Sequence, residues 1–155
     1  MYEPPPYILL IDDDEDDLEM FSSGLKMKGT NVRTFNSSSR ALSYLNFLSG
    51  NMELPSLIIM DYNMPKKNGY QVLLAIKNNH VTKDIPVVIY STSMSEMLRE
   101  QLSDIGAMDC FNKPWTYQEF LIQVEIFREL ALFAALQNKK PRNLRGLCDP
   151  VRIQT

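Results

Sequence analysis

Side chains that can bind a cation or a phosphoryl group stand at the ends of four short apolar runs in this sequence. In chain order they are Asp12 and Asp13, Asp61, Ser91 and Thr92, and Lys113. Carboxylates that share one pocket repel each other, and a divalent cation such as Mg²⁺ relieves that repulsion through its preference for oxygen ligands. A carboxylate can also form an acyl phosphate, whose oxygens a Lys ammonium and a hydroxyl would neutralise. If these side chains lie together, they predict Mg²⁺-dependent phosphoryl transfer to Asp61.

The elements that must position these side chains alternate between strand-like and helix-like segments. Short apolar runs predict five strands, at residues 7–11, 30–35, 56–60, 86–90 and 109–112. Apolar residues at helical spacing predict five helices, at residues 14–28, 37–49, 67–79, 93–105 and 116–137. The first, third and fourth strands are almost wholly apolar, which is typical of parallel strands buried on both faces. The alternation therefore predicts a doubly wound α/β fold.

The order of the strands decides whether the polar side chains meet. Ligands of open α/β sheets bind beyond the carboxyl ends of the strands, at the point where the strand order reverses. If the order is 2-1-3-4-5, the first and third strands are neighbours that flank this point. Asp12, Asp13 and Asp61 would then converge in one pocket, with Ser91 and Lys113 along its rim.

Four groups of residues resemble the motifs of the receiver domains of two-component response regulators. They are ILLIDDD at 8–14, DYNMP at 61–65 with Gly69, Ser91-Thr92, and Lys113-Pro114. The motifs appear in the family's order, and the resemblance covers roughly residues 7–137. It implies a five-stranded parallel sheet of order 2-1-3-4-5 in the flavodoxin-like receiver architecture.

The resemblance also implies roles for the residues around the phosphoryl group. Asp61 matches the phosphorylated residue, Lys113 the residue that pairs with the phosphoryl group, and Ser91 the hydroxyl that moves to hydrogen-bond it. Thr92 matches the small residue after that hydroxyl. The bond between Lys113 and Pro114 matches the family's cis peptide, which would set the direction of the Lys side chain.

A metal site and a phosphoryl donor follow from the same resemblance. Asp13 and Asp61 would bind Mg²⁺ directly, the backbone carbonyl of Asn63 would be a further ligand, and Asp12 would act through water. The donor would be a phosphohistidine on a sensor histidine kinase or a histidine phosphotransfer protein. The chain would then catalyse only its own phosphorylation and slow autodephosphorylation. The acids at 14–17 are interpreted as a solvated helix start that complements the helix dipole.

One position departs from the family pattern. Three residues before the matching Lys, receivers usually have Tyr or Phe, whose rotamer reports phosphorylation. This sequence has Cys110 there, with Phe111 directed to the other face of the strand. The switch position Cys110 therefore predicts a readout that does not use the usual aromatic residue.

The last predicted helix carries more apolar surface than a helix packed on one side needs. Its core stripe consists of Phe120, Val124, Phe127, Ala131 and Ala134. A different face holds Ile122, Ile126 and Phe133, and Trp115 lies nearby. We expect this second face to bind a partner or a second copy of the chain. The alternative is that the C-terminal segment folds back over it.

Composition limits the partners and predicts the domain organisation. The net charge is −3 and the isoelectric point about 5.2, which gives no reason to expect nucleic-acid binding. Residues 138–155 nevertheless hold five basic residues and one acid, so the net charge of this segment is about +4 and that of the rest about −7.

We expect an extended lead-in at 1–6, a receiver domain at 7–137 and a flexible basic tail at 138–155. Two cysteines and no apolar run of membrane-spanning length predict a cytoplasmic protein without membrane contact.

Several functions compete for the same fold. A stand-alone receiver is the leading interpretation, because about 18 residues after the last helix are too few for a DNA-binding module. A haloacid-dehalogenase-like phosphatase would have its nucleophile after the first strand, whereas Asp61 follows the third. A nucleotide- or flavin-binding module would need a glycine-rich phosphate loop that the sequence lacks. A receiver-like adaptor that is never phosphorylated remains the alternative.

Overall fold

The computed structural model describes residues 5–138. The strands are β1 Tyr7–Ile11, β2 Asn31–Phe35, β3 Leu57–Asp61, β4 Val87–Ser91 and β5 Asp109–Asn112. The helices are α1 Glu15–Met27, α2 Ser38–Phe47, α3 Gly69–Lys77, α4 Glu96–Asp104 and α5 Tyr117–Asn138. Residues 1–4 of the expected lead-in and residues 139–155 of the expected tail lie outside the described residues.

The five strands form one parallel sheet of order β2-β1-β3-β4-β5, which confirms the predicted fold. Every residue of β1, β3 and β4 is buried, as their continuous apolar sequences require. The edge strands β2 and β5 contain exposed residues, and their apolar patterns are correspondingly weaker. The order makes β1 and β3 neighbours, so their carboxyl ends lie side by side.

Alternate side chains of the central strands face two separate helix layers. On one face, Leu9, Ile58 and Ile89 pack against α2, α3 and α4. On the other face, Leu10 and Tyr90 pack against α1 and α5. Both faces of the three central strands are therefore sealed from water, and the carboxyl-terminal edge of the sheet is left for polar side chains.

Capping side chains decide where the helices begin. Asp14 accepts hydrogen bonds from two backbone amides of the first turn of α1, and Ser37 caps α2 by accepting one, from Arg40. Asn68 forms a capping box with Gln71, and Ser95 caps α4. Two helices consequently begin two or three residues later than the predicted positions 67 and 93. Within the described part of the chain, no helix combines the length and apolar character that crossing a bilayer requires.

Candidate phosphoacceptor and metal site

Three carboxylates meet at the carboxyl-terminal edge of β1 and β3. Asp12 and Asp13 follow β1, and Asp61 is the last residue of β3. One carboxylate oxygen from each lies within 4.8 Å of the others. Asp12 and Asp61 are buried, with 0% and 4% exposure, whereas Asp13 is open to solvent. The structure thus brings together the three acids that the sequence places at these two strand ends.

The surroundings of the two buried acids, Asp12 and Asp61, disfavour their ionised forms and raise their pKa values. Burial raises the pKa of Asp61 to about 6, and the neighbouring Asp12 charge adds to the rise. Burial also raises the pKa of Asp12, although hydrogen bonds from Tyr90 and Asp14 act in the opposite direction. A hard cation bound by oxygen ligands would remove this repulsion. The donor set therefore suits a divalent metal ion such as Mg²⁺.

Asp12 is held from three directions. Its Oδ2 accepts hydrogen bonds from the Tyr90 hydroxyl and from Lys113 Nζ, at 3.2 Å in the second case. Its Oδ1 accepts the backbone N–H of Asp14 at 3.0 Å. Tyr90 is fully buried in β4, and Lys113 Nζ lies 5.0 Å from the centre of its ring. Tyr90 lies in the predicted strand 86–90, and its place next to Ser91 in the sequence, at the carboxyl end of that strand, was the available signal that its hydroxyl could reach the site.

Lys113 reaches the site from the end of β5. Its Nζ lies 2.8 Å from Asp17, 3.2 Å from Asp12 and 3.6 Å from Asp61. Burial lowers the pKa of Lys113, but the hydrogen bond to Asp17 and the charges of Asp12 and Asp61 outweigh it and raise the pKa above its usual value. Lys113 is therefore a permanent cation at the edge of the acidic cluster.

Two expectations about this region are wrong. The bond between Lys113 and Pro114 is trans, since residues 5–138 contain no cis peptide bond. A trans bond is the favoured form before proline, and contacts with carboxylates set the direction of the Lys side chain. Asp17, which we interpreted as part of a solvated helix start, is the nearest ion-pair partner of Lys113. The sequence held no local signal for this pair, because Asp17 and Lys113 are 96 positions apart.

The hydroxyl at the end of β4 is buried beside the acids. Ser91 is fully buried, and its Oγ donates to the carbonyl of Ser93 at 3.2 Å and accepts from Asn63 Nδ2 at 3.1 Å. The backbone N–H of Asn63 donates to Asp61 Oδ1 at 3.3 Å. Thr92 is exposed next to Ser91. Asn63 therefore connects the predicted acceptor to the predicted hydroxyl.

The loop between β3 and α3 depends on a glycine. Gly69 N donates to Tyr62 O at 2.8 Å, which folds the loop back onto the end of β3. A Cβ atom at Gly69 would lie 2.9 Å from the Tyr62 Cα atom and 3.3 Å from the Asp61 carbonyl oxygen. Lys66 has a φ of 66°, in the left-handed region that completes the turn. Only glycine allows this close approach, and it fixes the backbone around Asp61.

Cys110 lies in the middle of β5 and is half-buried against the α2, α3 and α4 side of the sheet. Burial raises the pKa of its thiol. Arg99 of α4 donates from Nη1 to the Cys110 carbonyl at 2.7 Å and from Nη2 to Asn112 Oδ1 at 3.1 Å. Phe111 points to the opposite layer and meets Phe127 edge to face at 5.5 Å. The two neighbouring side chains thus enter different cores.

The expected partner face is only partly exposed. Ile122, Phe133 and Trp115 are open to solvent, with 61%, 57% and 83% exposure. Ile126 is half-buried, because it packs against the core between α1 and α5, so its placement in an exposed face is wrong. Leu132 and Leu136 of the same helix are exposed at 45% and 66%. The exposed apolar side chains of α5 are therefore spread along the helix, from Tyr117 and Ile122 near its start to Phe133 and Leu136 near its end.

These features define a doubly wound α/β domain with an acidic site at the point where its strand order reverses. The family model described as "Response regulator receiver domain" matches residues 8–125. The chain belongs to the response regulator receiver domain family. This assignment agrees with the fold, with the strand-end acids and with the Lys at the end of β5.

Individual relatives and solved structures agree with the family. The two-component response regulator ARR15 of Arabidopsis thaliana is 36% identical over 63% of this chain, and the match spans 50% of its own length. A crystal structure of the phosphorylated cyanobacterial phytochrome response regulator RcpA is 28% identical, has a TM-score of 0.74, and covers 83% of this chain and 95% of that chain. The Mn²⁺-bound form of response regulator Rcp1 is 27% identical, has a TM-score of 0.72, and covers 81% and 93%.

Proposed function

We propose that this protein is a signalling switch or phosphorelay intermediate that accepts a phosphoryl group on Asp61 with the help of Mg²⁺. The observation that carries the proposal is the buried Asp61 carboxylate, grouped with Asp12 and Asp13 and 3.6 Å from Lys113 Nζ. Membership of the receiver family supports it. The proposed donor is a phosphohistidine on a sensor histidine kinase or a histidine phosphotransfer protein.

The proposed metal ligands are Asp13, Asp61 and the backbone carbonyl of Asn63. The grouped carboxylate oxygens provide the donor type that Mg²⁺ prefers. Both oxygens of Asp12 already accept hydrogen bonds from protein groups, which favours an indirect role for Asp12 through water. When bound, Mg²⁺ would offset the charge of the phosphoryl oxygens. The Mn²⁺-bound form of Rcp1 is a precedent among similar proteins.

Asp61, Lys113 and Ser91 would each contribute to the transfer of the phosphoryl group. An Asp61 carboxylate oxygen would attack phosphorus, so that a P–O bond forms while the P–N bond of the phosphohistidine breaks and the imidazole leaves. The Lys113 ammonium would pair with a phosphoryl oxygen. Ser91 would give up its bond to the Ser93 carbonyl and donate its hydroxyl hydrogen to the phosphoryl group. The chain acts on its own Asp61 and on no separate substrate.

The partners in this proposal are proteins, and no contact with nucleic acid or membrane is part of it. We place the protein in the cytoplasm and its receiver domain at residues 7–137. The exposed α5 surface, defined by Ile122, Phe133 and Leu136, is the proposed contact with a second copy of the chain. Phosphorylation would alter the protein's affinity for its partners.

Intact-mass spectrometry tests the phosphorylation directly. The protein is incubated with Mg²⁺ and acetyl phosphate, and we expect one added phosphoryl group. Asp61→Asn, which keeps the size of the side chain but loses the nucleophile, should show no addition, and neither should the wild type in EDTA. No addition to the wild type, together with no binding of beryllium fluoride, would favour the adaptor that is never phosphorylated.

A further inference from the structure

Lys113 is not directed mainly at the proposed acceptor. An ammonium group has three hydrogen-bond donors, and Lys113 Nζ uses two of them on Asp17 at 2.8 Å and Asp12 at 3.2 Å. Asp61 Oδ2 lies farther away, at 3.6 Å, and is an ion-pair partner without a hydrogen bond. The closest partner of the Lys113 ammonium is therefore Asp17, a residue outside the group that could hold the metal.

Asp17 is fixed in position by the start of α1. Its backbone N–H donates to the cap Asp14 Oδ1 at 3.2 Å, and its side chain is 30% exposed. The neighbouring Asp16 is bound to the same cap through its backbone N–H. Its side chain is exposed, and it forms no hydrogen bond or ion pair within residues 5–138. The two acids share a helix turn and a charge, but only Asp17 reaches the site.

We infer that Asp17 is a positioning residue that holds the Lys113 ammonium in the resting state and competes for it with the phosphoryl group on Asp61. The inference rests on the proposed function and adds a regulatory element to the same site. A bound metal ion would offset the charges of the three grouped acids, whereas Asp17 lies outside this group and would remain paired with Lys113.

Two physical effects of Asp17 act in the same direction. Its carboxylate occupies a donor of Lys113 that the phosphoryl group needs, so the ammonium must exchange one anionic partner for another. Its negative charge also repels the phosphoryl group, whose oxygens carry about two negative charges. Removing the Asp17 charge should therefore favour the phosphorylated form.

Beryllium fluoride, a mimic of the phosphoryl group, measures this competition in the full chain. At saturating Mg²⁺, Asp17→Asn should bind it about fivefold more tightly than the wild type, the factor expected for loss of a partly screened ion pair. The rate of phosphorylation by acetyl phosphate should rise in the same direction. A purely structural role of Asp17 predicts the opposite sign, because a loosened site binds the mimic more weakly.

Two variants serve as controls. Asp16→Asn removes the same charge from the same helix turn, so it reports the general effect of charge and of the helix dipole. Asp17→Glu keeps the charge and should return the affinity toward the wild-type value. Mimic binding is followed by calorimetry or ¹⁹F nuclear magnetic resonance, and thermal unfolding checks that each variant is folded.

The outcomes separate this inference from the function on which it rests. Tighter binding by Asp17→Asn than by Asp16→Asn supports the inference. Equal or weaker binding, while the wild type binds normally, overturns the inference and leaves the proposed function intact. Failure of the wild type to bind the mimic or to gain a phosphoryl group overturns both.

Discussion

The two buried carboxylates of the site, Asp12 and Asp61, differ in how their oxygens are engaged. Asp12 accepts hydrogen bonds on both oxygens, from Asp14, Tyr90 and Lys113. Within residues 5–138, Asp61 accepts one hydrogen bond, from the backbone of Asn63, on Oδ1. Its Oδ2 is held only by the longer contact with Lys113. Asp61 therefore keeps the freer oxygen, which explains on physical grounds why it, and not Asp12, would be the nucleophile.

The raised pKa of Asp61 predicts a dependence of stability on pH. Its pKa in the folded protein is about 6, against an ordinary value of 3.8. The folded state therefore holds the proton more tightly than the unfolded state, and this contribution to stability is present below the lower value and is lost as the pH rises through the upper one. In EDTA, the free energy of unfolding of the wild type should fall over this range relative to Asp61→Asn, by about 1–3 kcal/mol.

Urea unfolding at a series of pH values, followed by circular dichroism, measures this difference. Asp61→Asn is a close control, since an amide oxygen can still accept the Asn63 N–H. Mg²⁺ should reduce the difference between the two proteins near neutral pH, because it favours the ionised carboxylate. If the free energies of unfolding of the wild type and Asp61→Asn change in parallel from pH 4 to 7, the pKa of Asp61 is not raised in the folded protein.

The β3–α3 loop sets the position of Asp61 through the close approach of Gly69 to Tyr62. Gly69→Ala would place a methyl group 2.9 Å from a backbone atom, so the loop must move. We expect a loss of about 1–3 kcal/mol in the free energy of unfolding and weaker Mg²⁺ binding.

Gly50→Ala, in the connection between α2 and β3, is the matched control for the Gly69→Ala substitution. A Cβ at Gly50 meets nothing within 4 Å, so we expect a change of less than about 0.5 kcal/mol. Chemical denaturation measures stability, and Mg²⁺ titration followed by Trp115 fluorescence measures the site. A Gly69→Ala protein with wild-type stability and Mg²⁺ affinity would show that the loop adapts without moving Asp61.

The elements show which features the sequence could predict. Strands β1, β3 and β4 are recognisable because they are buried on both faces, and their ends placed the acids correctly. Helix starts shifted where a cap such as Ser95 lay inside the predicted segment. The ion pair between Asp17 and Lys113 joins residues 96 positions apart, and local pattern carries no information about such a pair. The half-burial of Ile126 likewise depends on α1, a distant part of the chain.

Strand β5 connects the site to both helix layers. The N–H of Lys113 donates to the Ser91 carbonyl at 2.8 Å, which joins the two ends of β4 and β5. Arg99 of α4 donates to the Cys110 carbonyl, and Gln123 of α5 donates to the Asn112 carbonyl at 2.9 Å. A shift of Lys113 toward a phosphoryl group would therefore act on the strand that α4 and α5 both contact. This arrangement offers a route to the helix surfaces that does not need an aromatic residue at position 110.

The exposed α5 surface supplies the test of self-association. Phe133 and Ile122 are more than half exposed, so Phe133→Glu and Ile122→Glu should leave the core intact. If this surface joins two copies, each variant should shift the protein toward monomer and raise the dissociation constant at least about tenfold, since an interface anchor contributes roughly 1.4 kcal/mol or more.

Phe47→Glu on α2, with a similar exposure of 71%, is the control for adding charge at an exposed aromatic position. Sedimentation equilibrium with and without beryllium fluoride measures the mass. A wild type that stays monomeric in both conditions, or a dimer that survives both α5 substitutions, would exclude this surface as the contact between copies.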